Sequence, residues 1–169
     1  NSAFGLKALR ANTEGYRNSA FGTTALTSNT TGWFNTAFGF GTLLKNTTGD
    51  NNTAIGYKAL YQTTGHSNTA IGCDAGNYNT TGFRNTFLGP DTDISPNTAT
   101  WKESTAVGYQ AKITADSQIV LGRSNTTVNV PYRIGIGTTA PSYPLHVTSS
   151  ATATDMGGRM YLSNGYYVG

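Results

Sequence analysis

The chain has one cysteine, Cys73, among 169 residues, so no intrachain disulfide can hold the fold. Charge is almost as scarce: Asp, Glu, Lys and Arg make up 11% of the chain, and the net charge is +3. No run of Lys or Arg is present to follow a phosphate backbone, and nucleic acid is not an expected partner. No apolar run approaches the ~20 residues of a membrane-crossing helix, so no membrane insertion is expected of this segment. No signal peptide is visible, and the first residues already lie inside a repeat, as expected of a fragment. There are two histidines, His66 and His146, far apart in sequence. With a single cysteine they make neither a Cys–His pair nor a zinc set. No Gly-x-x-x-x-Gly-Lys-Ser/Thr loop occurs to cradle phosphate. The expectation is a protein that is not an enzyme and carries no cofactor and no metal.

Gly, Asn, Ser and Thr are abundant instead. That composition can mean disorder. The spacing argues otherwise, because a disordered tract has no reason to keep a register. Asn1-Ser-Ala-Phe-Gly5 recurs as Asn18-Ser-Ala-Phe-Gly22, Asn35-Thr-Ala-Phe-Gly39, Asn52-Thr-Ala-Ile-Gly56, Asn68-Thr-Ala-Ile-Gly72 and Asn85-Thr-Phe-Leu-Gly89. Weaker copies are Ser104-Thr-Ala-Val-Gly108 and Gln118-Ile-Val-Leu-Gly122. The glycines step by 17, 17, 17, 16, 17, 19 and 14 residues. A fixed period of this length marks a solenoid.

Each unit has a second half. An apolar pair, Ala8-Leu9, returns as Ala25-Leu26, Thr42-Leu43 and Ala59-Leu60. A turn, Asn12-Thr-Glu-Gly15, returns as Asn29-Thr-Thr-Gly32, Asn46-Thr-Thr-Gly49, Gln62-Thr-Thr-Gly65 and Asn79-Thr-Thr-Gly82. Helix is disfavoured, because apolar residues do not recur at three and four and each interior glycine costs about 1 kcal/mol. The fold class expected is all-β: a parallel β-solenoid with two short strands per 14–17-residue coil and coils ~4.8 Å apart. The corner glycines are expected at positive φ.

Alternation assigns faces within the strand: Thr53 and Ile55 point one way, Ala54 the other. The bulky row Phe4, Phe21, Phe38, Ile55, Ile71, Leu88, Val107 and Leu121 is expected to fill the interior as the structural core ladder, opposite Leu9, Leu26, Leu43 and Leu60. The small row at Ala3, Ala20, Ala37, Ala54 and Ala70 then marks the close approach of another backbone. Such a coil is thin against roughly 1–2 kcal/mol of backbone entropy per residue. A second buried face would help, so a homotrimer with three chains around one axis is expected.

Ser104-Thr-Ala-Val-Gly-Tyr-Gln-Ala-Lys-Ile-Thr-Ala-Asp-Ser117 spans 14 residues before the pattern restarts. It resembles the head repeat of the YadA-type trimeric autotransporter adhesins. The 17-residue copies resemble an expanded version in tail fibres of bacteriophages and large DNA viruses. The resemblance covers residues 1–122 and implies a left-handed β-roll in a homotrimeric fibre. It also implies a structural and adhesive role in attachment to a host cell-surface receptor or glycan, at the virion surface. The alternative owner is a bacterial cell surface, as the head of a trimeric adhesin.

The sixth unit departs from the pattern. Pro90-Asp-Thr-Asp-Ile-Ser-Pro96 replaces its second half, and a loop insertion is expected over about 90–103. Residues 123–150 read as an intertwined neck. Within them Gly135-Ile-Gly-Thr-Thr-Ala-Pro141 resembles the segment that precedes a C-terminal chaperone or coiled-coil region in viral fibres. Residues 151–169 read as the start of a truncated β module.

Three features merit weighing as sites. Asp91 and Asp93 form a carboxylate pair that can hydrolyse a glycan in a tailspike depolymerase, bind calcium, or simply cap turns. The residues after the turn glycines, Tyr16, Trp33, Asp50, His66 and Phe83, should align along one edge. Their rings either form a glycan-binding ridge or pack on one another. Finally, Asn29, Asn46, Asn51, Asn79 and Asn125 head Asn-x-Ser/Thr sequons open to glycosylation in a eukaryotic host, though Asn, Thr and Gly also serve simply as turn residues.

Overall fold

A computed structural model describes residues 1–97, 100–123, and the backbone of 134–136 and 145–147. The chain divides into two compact units, Asn1–Val128 and Asn129–Gly169. No helix occurs among the described residues.

The first unit is a parallel β-solenoid. Its strands are β1 (Ser2–Phe4), β2 (Ser19–Phe21), β3 (Thr36–Phe38), β4 (Thr53–Ile55), β5 (Thr69–Ile71), β6 (Thr86–Leu88), β7 (Asp93–Ile94), β8 (Thr105–Val107), β9 (Lys112–Ile113) and β10 (Ile119–Leu121). Eight of them form one sheet in the order β1-β2-β3-β4-β5-β6-β8-β10. The pentapeptides pair in register, so that Ala3 lies beside Ala20 and Phe4 beside Phe21. In the second unit β11 (Ile134–Ile136) pairs in parallel with β12 (Leu145–Val147). The other residues expected to form the neck and the module over 151–169 lie outside the described residues.

The opposite wall differs from the two-strand expectation. In the early coils it is a string of turns, joined coil to coil by bonds such as Leu9 N–H to Ala25 O at 3.0 Å and Leu43 N–H to Ala59 O at 3.2 Å. Leu9, Leu26, Leu43 and Leu60 sit there at φ of 49, 50, 50 and 49°. A second regular pairing, β7 with β9, forms only near the C-terminal end, where Ile94 and Ile113 are fully buried. Thus Pro90–Pro96 is not all loop. Asp93 and Ile94 return to the wall between the two prolines.

The interior reverses the face expected from side-chain size. Ala20, Ala37, Ala54, Ala70 and Ala106 are fully buried, together with Leu26, Leu43 and Leu60. The bulky row points outward: Phe4 is 75% exposed, Phe38 59%, Leu88 45% and Ile55 38%. Phe21, Ile71 and Leu121 share that exposed face, and Val107 is half-buried on it. The physical reason is width. Opposite walls approach too closely for a Leu and a Phe to meet inside, so Ala faces Leu. The exception supports this reading. Phe87 replaces the strand alanine and is fully buried, and Gly76 replaces the leucine on the facing wall. A Cβ on Gly76 would lie 2.8 Å from both Phe87 Cδ2 and Leu60 Cδ2.

Polar groups fill the rest of the interior. Asn18 donates its amide to Gly32 O at 2.7 Å, while its Oδ1 accepts the N–H of Asn35 at 2.9 Å. Asn29 donates to the same Gly32 O at 2.9 Å and to Asn12 Oδ1 at 2.8 Å. The pattern recurs one coil later, where Asn35 and Asn46 both donate to Gly49 O at 2.8 and 2.9 Å. Each such turn carbonyl is therefore held by two buried amides.

The glycines of the pentapeptides and those of the Asn-Thr-Thr-Gly turns are of two kinds. Those closing the pentapeptides have positive φ as expected, for example 139° at Gly22. The turn glycines do not. Gly32 is glycine for want of space, because a Cβ there would collide with Asn29 Oδ1 and Gly49 O.

The shortest 17-type coil also departs from its sequence alignment. Thr63, not Gln62, occupies the asparagine slot: its N–H donates to Leu60 O as Asn46 N–H does to Leu43 O, both an i to i−3 bond. Its hydroxyl donates to Asn79 O at 2.6 Å, and Asn46 Oδ1 is left buried without a donor.

Asn35→Ala should lower stability in urea unfolding by about 2 kcal/mol, since it strands the buried Asn52 N–H and takes one of two amide donors from the Gly49 carbonyl. Thr48→Ala, at an exposed turn position, should stay within about 0.5 kcal/mol of the parent. Equal losses in the two variants would remove the amide ladders from the basis of the fold.

Candidate functional site

Two rows of side chains flank the long sheet at its corners. The first precedes each pentapeptide. Backbone bonds join its rungs: Phe34 N–H to Tyr16 O at 3.1 Å, Asn51 N–H to Trp33 O at 3.0 Å, Ser67 N–H to Asp50 O at 2.9 Å and Arg84 N–H to His66 O at 3.2 Å. Tyr16, Trp33, Asp50, His66 and Phe83 therefore align along one edge, as the spacing predicts. The rungs hold because the residue following each, from Arg17 at φ 58° to Arg84 at 56°, takes the left-handed conformation that turns the chain into the strand.

The rings do not form one uniform ridge. At one end, Tyr16 and Trp33 lie 5.2 Å apart and tilted by 45°, and Trp33 and Phe34 lie 5.5 Å apart and tilted by 37°. The Arg17 guanidinium sits 5.0 Å from the Phe34 ring centre and 5.7 Å from that of Tyr16. Asp50 follows, its Oδ1 accepting the Trp33 N–H at 2.9 Å. Beyond it, His66 and Phe83 stack at 5.1 Å and 14°. Arg84 and Lys102 also lie against the Phe83 ring, each at 5.7 Å. Both cations have acidic neighbours: Arg84 pairs with Glu103 at 2.9 Å, and Lys102 lies 3.9 Å from Asp116.

A second row follows each pentapeptide, and the motif reading overlooked it. Phe40 and Tyr57 stack at 5.5 Å and 12°, with Lys58 at 5.1 Å from Tyr57 and 5.6 Å from Tyr61 of the facing wall. The signal was present as the residue after each strand glycine, and backbone bonds join those positions too, as Lys58 N–H to Phe40 O at 2.9 Å and Asp74 N–H to Tyr57 O at 2.8 Å. Tyr57 beside Lys58 raises the ammonium's pKa, chiefly by hydrogen bonding. Cys73, exposed on the same row, has its thiol pushed up, first by desolvation and then by its bond to Asp74.

The carboxylate pair lines a small hollow with Asp74, Asn77, Tyr78 and Lys112. Asp93 is buried, and its oxygens are taken by backbone: Oδ2 accepts Tyr78 N–H at 3.0 Å and Oδ1 accepts Ile94 N–H at 2.9 Å. Burial pushes its pKa up to about 6, against the lowering effect of those two amides and of Lys112. Asp91 is half-buried at φ 55°. No group of three or more His, Cys, Asp or Glu is placed to hold a metal ion among the described residues.

Three sequon asparagines, Asn29, Asn46 and Asn79, are fully buried in the amide ladders and inaccessible to a modifying enzyme in the folded coil. Asn51 is exposed. Asn125 lies outside the described residues, and so does the His146 side chain. No helix among the described residues is long and apolar enough to cross a membrane. Comparison with protein-family models, with curated proteins and with solved structures finds no match.

The raised pKa of Asp93 has a definite sign. A carboxyl that titrates higher in the fold than in the unfolded chain contributes stability at low pH, and loses it as pH rises through the folded value. Thermal melts of the parent should therefore show Asp93 contributing on the order of 1 kcal/mol more at pH 5 than at pH 7.5. Asp93→Asn should remove that increment. An unchanged pH difference in the variant would show that the carboxyl is not its source.

Proposed function

We propose that this segment is a structural and adhesive part of a homotrimeric fibre at a virion surface, supporting attachment to a host receptor or glycan. The observation carrying the proposal is the exposed apolar row from Phe4 to Leu121 along one face of the long sheet. Monomeric proteins rarely leave a continuous apolar patch of this kind in water. Phe4, Phe21 and Phe38, with Gly22 and Gly39, line an open groove on that face.

The occupant favoured is another copy of the chain. The row repeats at the coil spacing of ~4.8 Å, and an identical solenoid offers the same spacing over the same length. The row is one bulky side chain wide, with a Ser/Thr row beside it from Ser2 to Thr105. A narrow apolar edge suits a wedge around a three-fold axis better than a broad two-sheet sandwich, and closed cyclic symmetry satisfies all three rows at once. The 17-residue units and Asn-Thr-Thr-Gly turns favour the viral-fibre version of the resemblance. The depolymerase alternative draws little from Asp91 and Asp93, since backbone amides already hold the Asp93 oxygens.

Light scattering after size exclusion should give a particle of three chains. Phe38→Asp should yield monomers with unchanged far-ultraviolet circular dichroism, because Phe38 contributes little to the interior of a single chain. A parent that is monomeric at micromolar concentration would overturn the proposal, as would a Phe38→Asp variant that stays trimeric.

A further inference from the structure

We infer that the Tyr16–Trp33–Phe34 corner, with Arg17 and Asp50, is a binding site for a neutral hexopyranose. The inference rests on the fibre reading above and specifies a ligand class for its adhesive surface. Ring geometry separates this end of the row from the other. His66 and Phe83 lie almost parallel at close to the coil spacing, so each covers a face of the other. Lys102 and Arg84 lie against Phe83 as well. Packing thus covers one His66 face and leaves Phe83 half-buried, with cations against it. Tyr16, Trp33 and Phe34 are instead mutually tilted by 37–62°. Tilted rings cannot shield one another's faces completely, and all three remain exposed. Arg17 lies against Tyr16 and Phe34, whereas no cation lies over Trp33 among the described residues, and a flat exposed ring of that kind is what the C–H face of a pyranose covers.

The polar groups at this corner complete the case. Asp50 uses Oδ1 on the Trp33 N–H, and its Oδ2 makes no hydrogen bond among the described residues. Arg17 is held over two rings and makes no ion pair among the described residues, in contrast to Arg84 and Lys102. One side chain thus offers acceptors and another offers donors beside the same aromatic patch, which matches the vicinal hydroxyls of a sugar. One cation against one carboxylate leaves no field to select an anionic sugar, so the ligand is neutral. The Ser/Thr row lies between this corner and the bulky row, which leaves the corner outside the proposed subunit contact. Single-site affinity at so shallow a surface is weak, and three copies on one fibre supply avidity.

The test uses polymers bearing terminal β-galactose, α-glucose, α-mannose or β-N-acetylglucosamine, with a sialylated polymer as the anionic arm. Binding is measured on protein whose oligomeric state has been determined in the same preparation. At least one neutral polymer should bind, with little dependence on salt. Trp33→Ala and Trp33→Leu should each weaken it by about tenfold or more, the second keeping apolar bulk without a flat ring. Asp50→Asn and Arg17→Gln should also weaken it, whereas Phe83→Leu should not. No neutral binding by trimeric protein overturns the site while leaving the fibre reading intact. So do parent-like affinity in both Trp33 variants, and binding confined to the sialylated arm. Neutral binding by a monomer, lost in both Trp33 variants, upholds the site and overturns the trimer.

Discussion

Everything in the solenoid depends on the turn carbonyls held inside it. A coil this narrow cannot exclude its own backbone from the interior, and a buried carbonyl without a donor costs about 1–3 kcal/mol. Gly32 O and Gly49 O each receive two asparagine amides, one from the strand entry and one from the turn. The strand-entry asparagine also accepts the backbone N–H of the next coil, so satisfying a carbonyl and joining two coils are one act. The turn residue must be glycine because a Cβ would collide with the very groups that do this. Where asparagine is replaced, the arrangement shows its limits. Ser104 can still accept the Gln118 N–H at 3.0 Å, and its hydroxyl donates to neighbouring carbonyls. Thr63 cannot donate back to Asn46, and an orphaned oxygen results.

These bonds offset a real conformational cost. Leu26, Phe34 and Thr24 sit at φ of 50, 54 and 60°, a left-handed region that costs an L-residue roughly 1–2 kcal/mol. Equivalent positions recur in most coils, including residues with long or bulky side chains. Single-chain local preference would not choose these conformations. They persist because each residue's own N–H then meets a carbonyl of an adjacent coil: Thr24 that of Leu6, Phe34 that of Tyr16, and Leu26 that of Thr42. Stability is thus collective along the stack, as in other repeat architectures.

That collectivity explains what could be read from the amino acids alone. The period, the strand at each pentapeptide and the alternation of faces all follow from spacing, and each is present in register. The choice of inner face does not follow. Alternation distinguishes Ala54 from Ile55 but says nothing about the distance to the other wall. The exchange of Leu for Gly76 and Ala for Phe87 was the clue, since a large residue appears on one wall where a small one appears on the other. The asparagines were legible as turn formers but not as buried ligands of carbonyls, because burial of an amide depends on what the neighbouring coil presents. The corner row at Tyr16, Trp33, His66 and Phe83 could be aligned by counting. Whether its rings lie tilted or stacked is a matter of side-chain rotamers and escapes counting entirely.

The reversed face also changes what the molecule needs from its surroundings. Had the phenylalanines been inside, a single coil would have carried its own core and the outer surface would have been alanine and threonine. With Ala20, Ala37 and Ala54 inside, the described interior is small and mixes polar with apolar residues in near-equal number, and most aromatic side chains lie on the surface. A solenoid built this way keeps backbone order through amide ladders and leaves its hydrophobic gain to be realised by contact with something else. The assembly proposed above would then follow from narrowness. Amides set the coil diameter, the diameter expels the large side chains, and the expelled row forms the exposed apolar face on which that proposal rests.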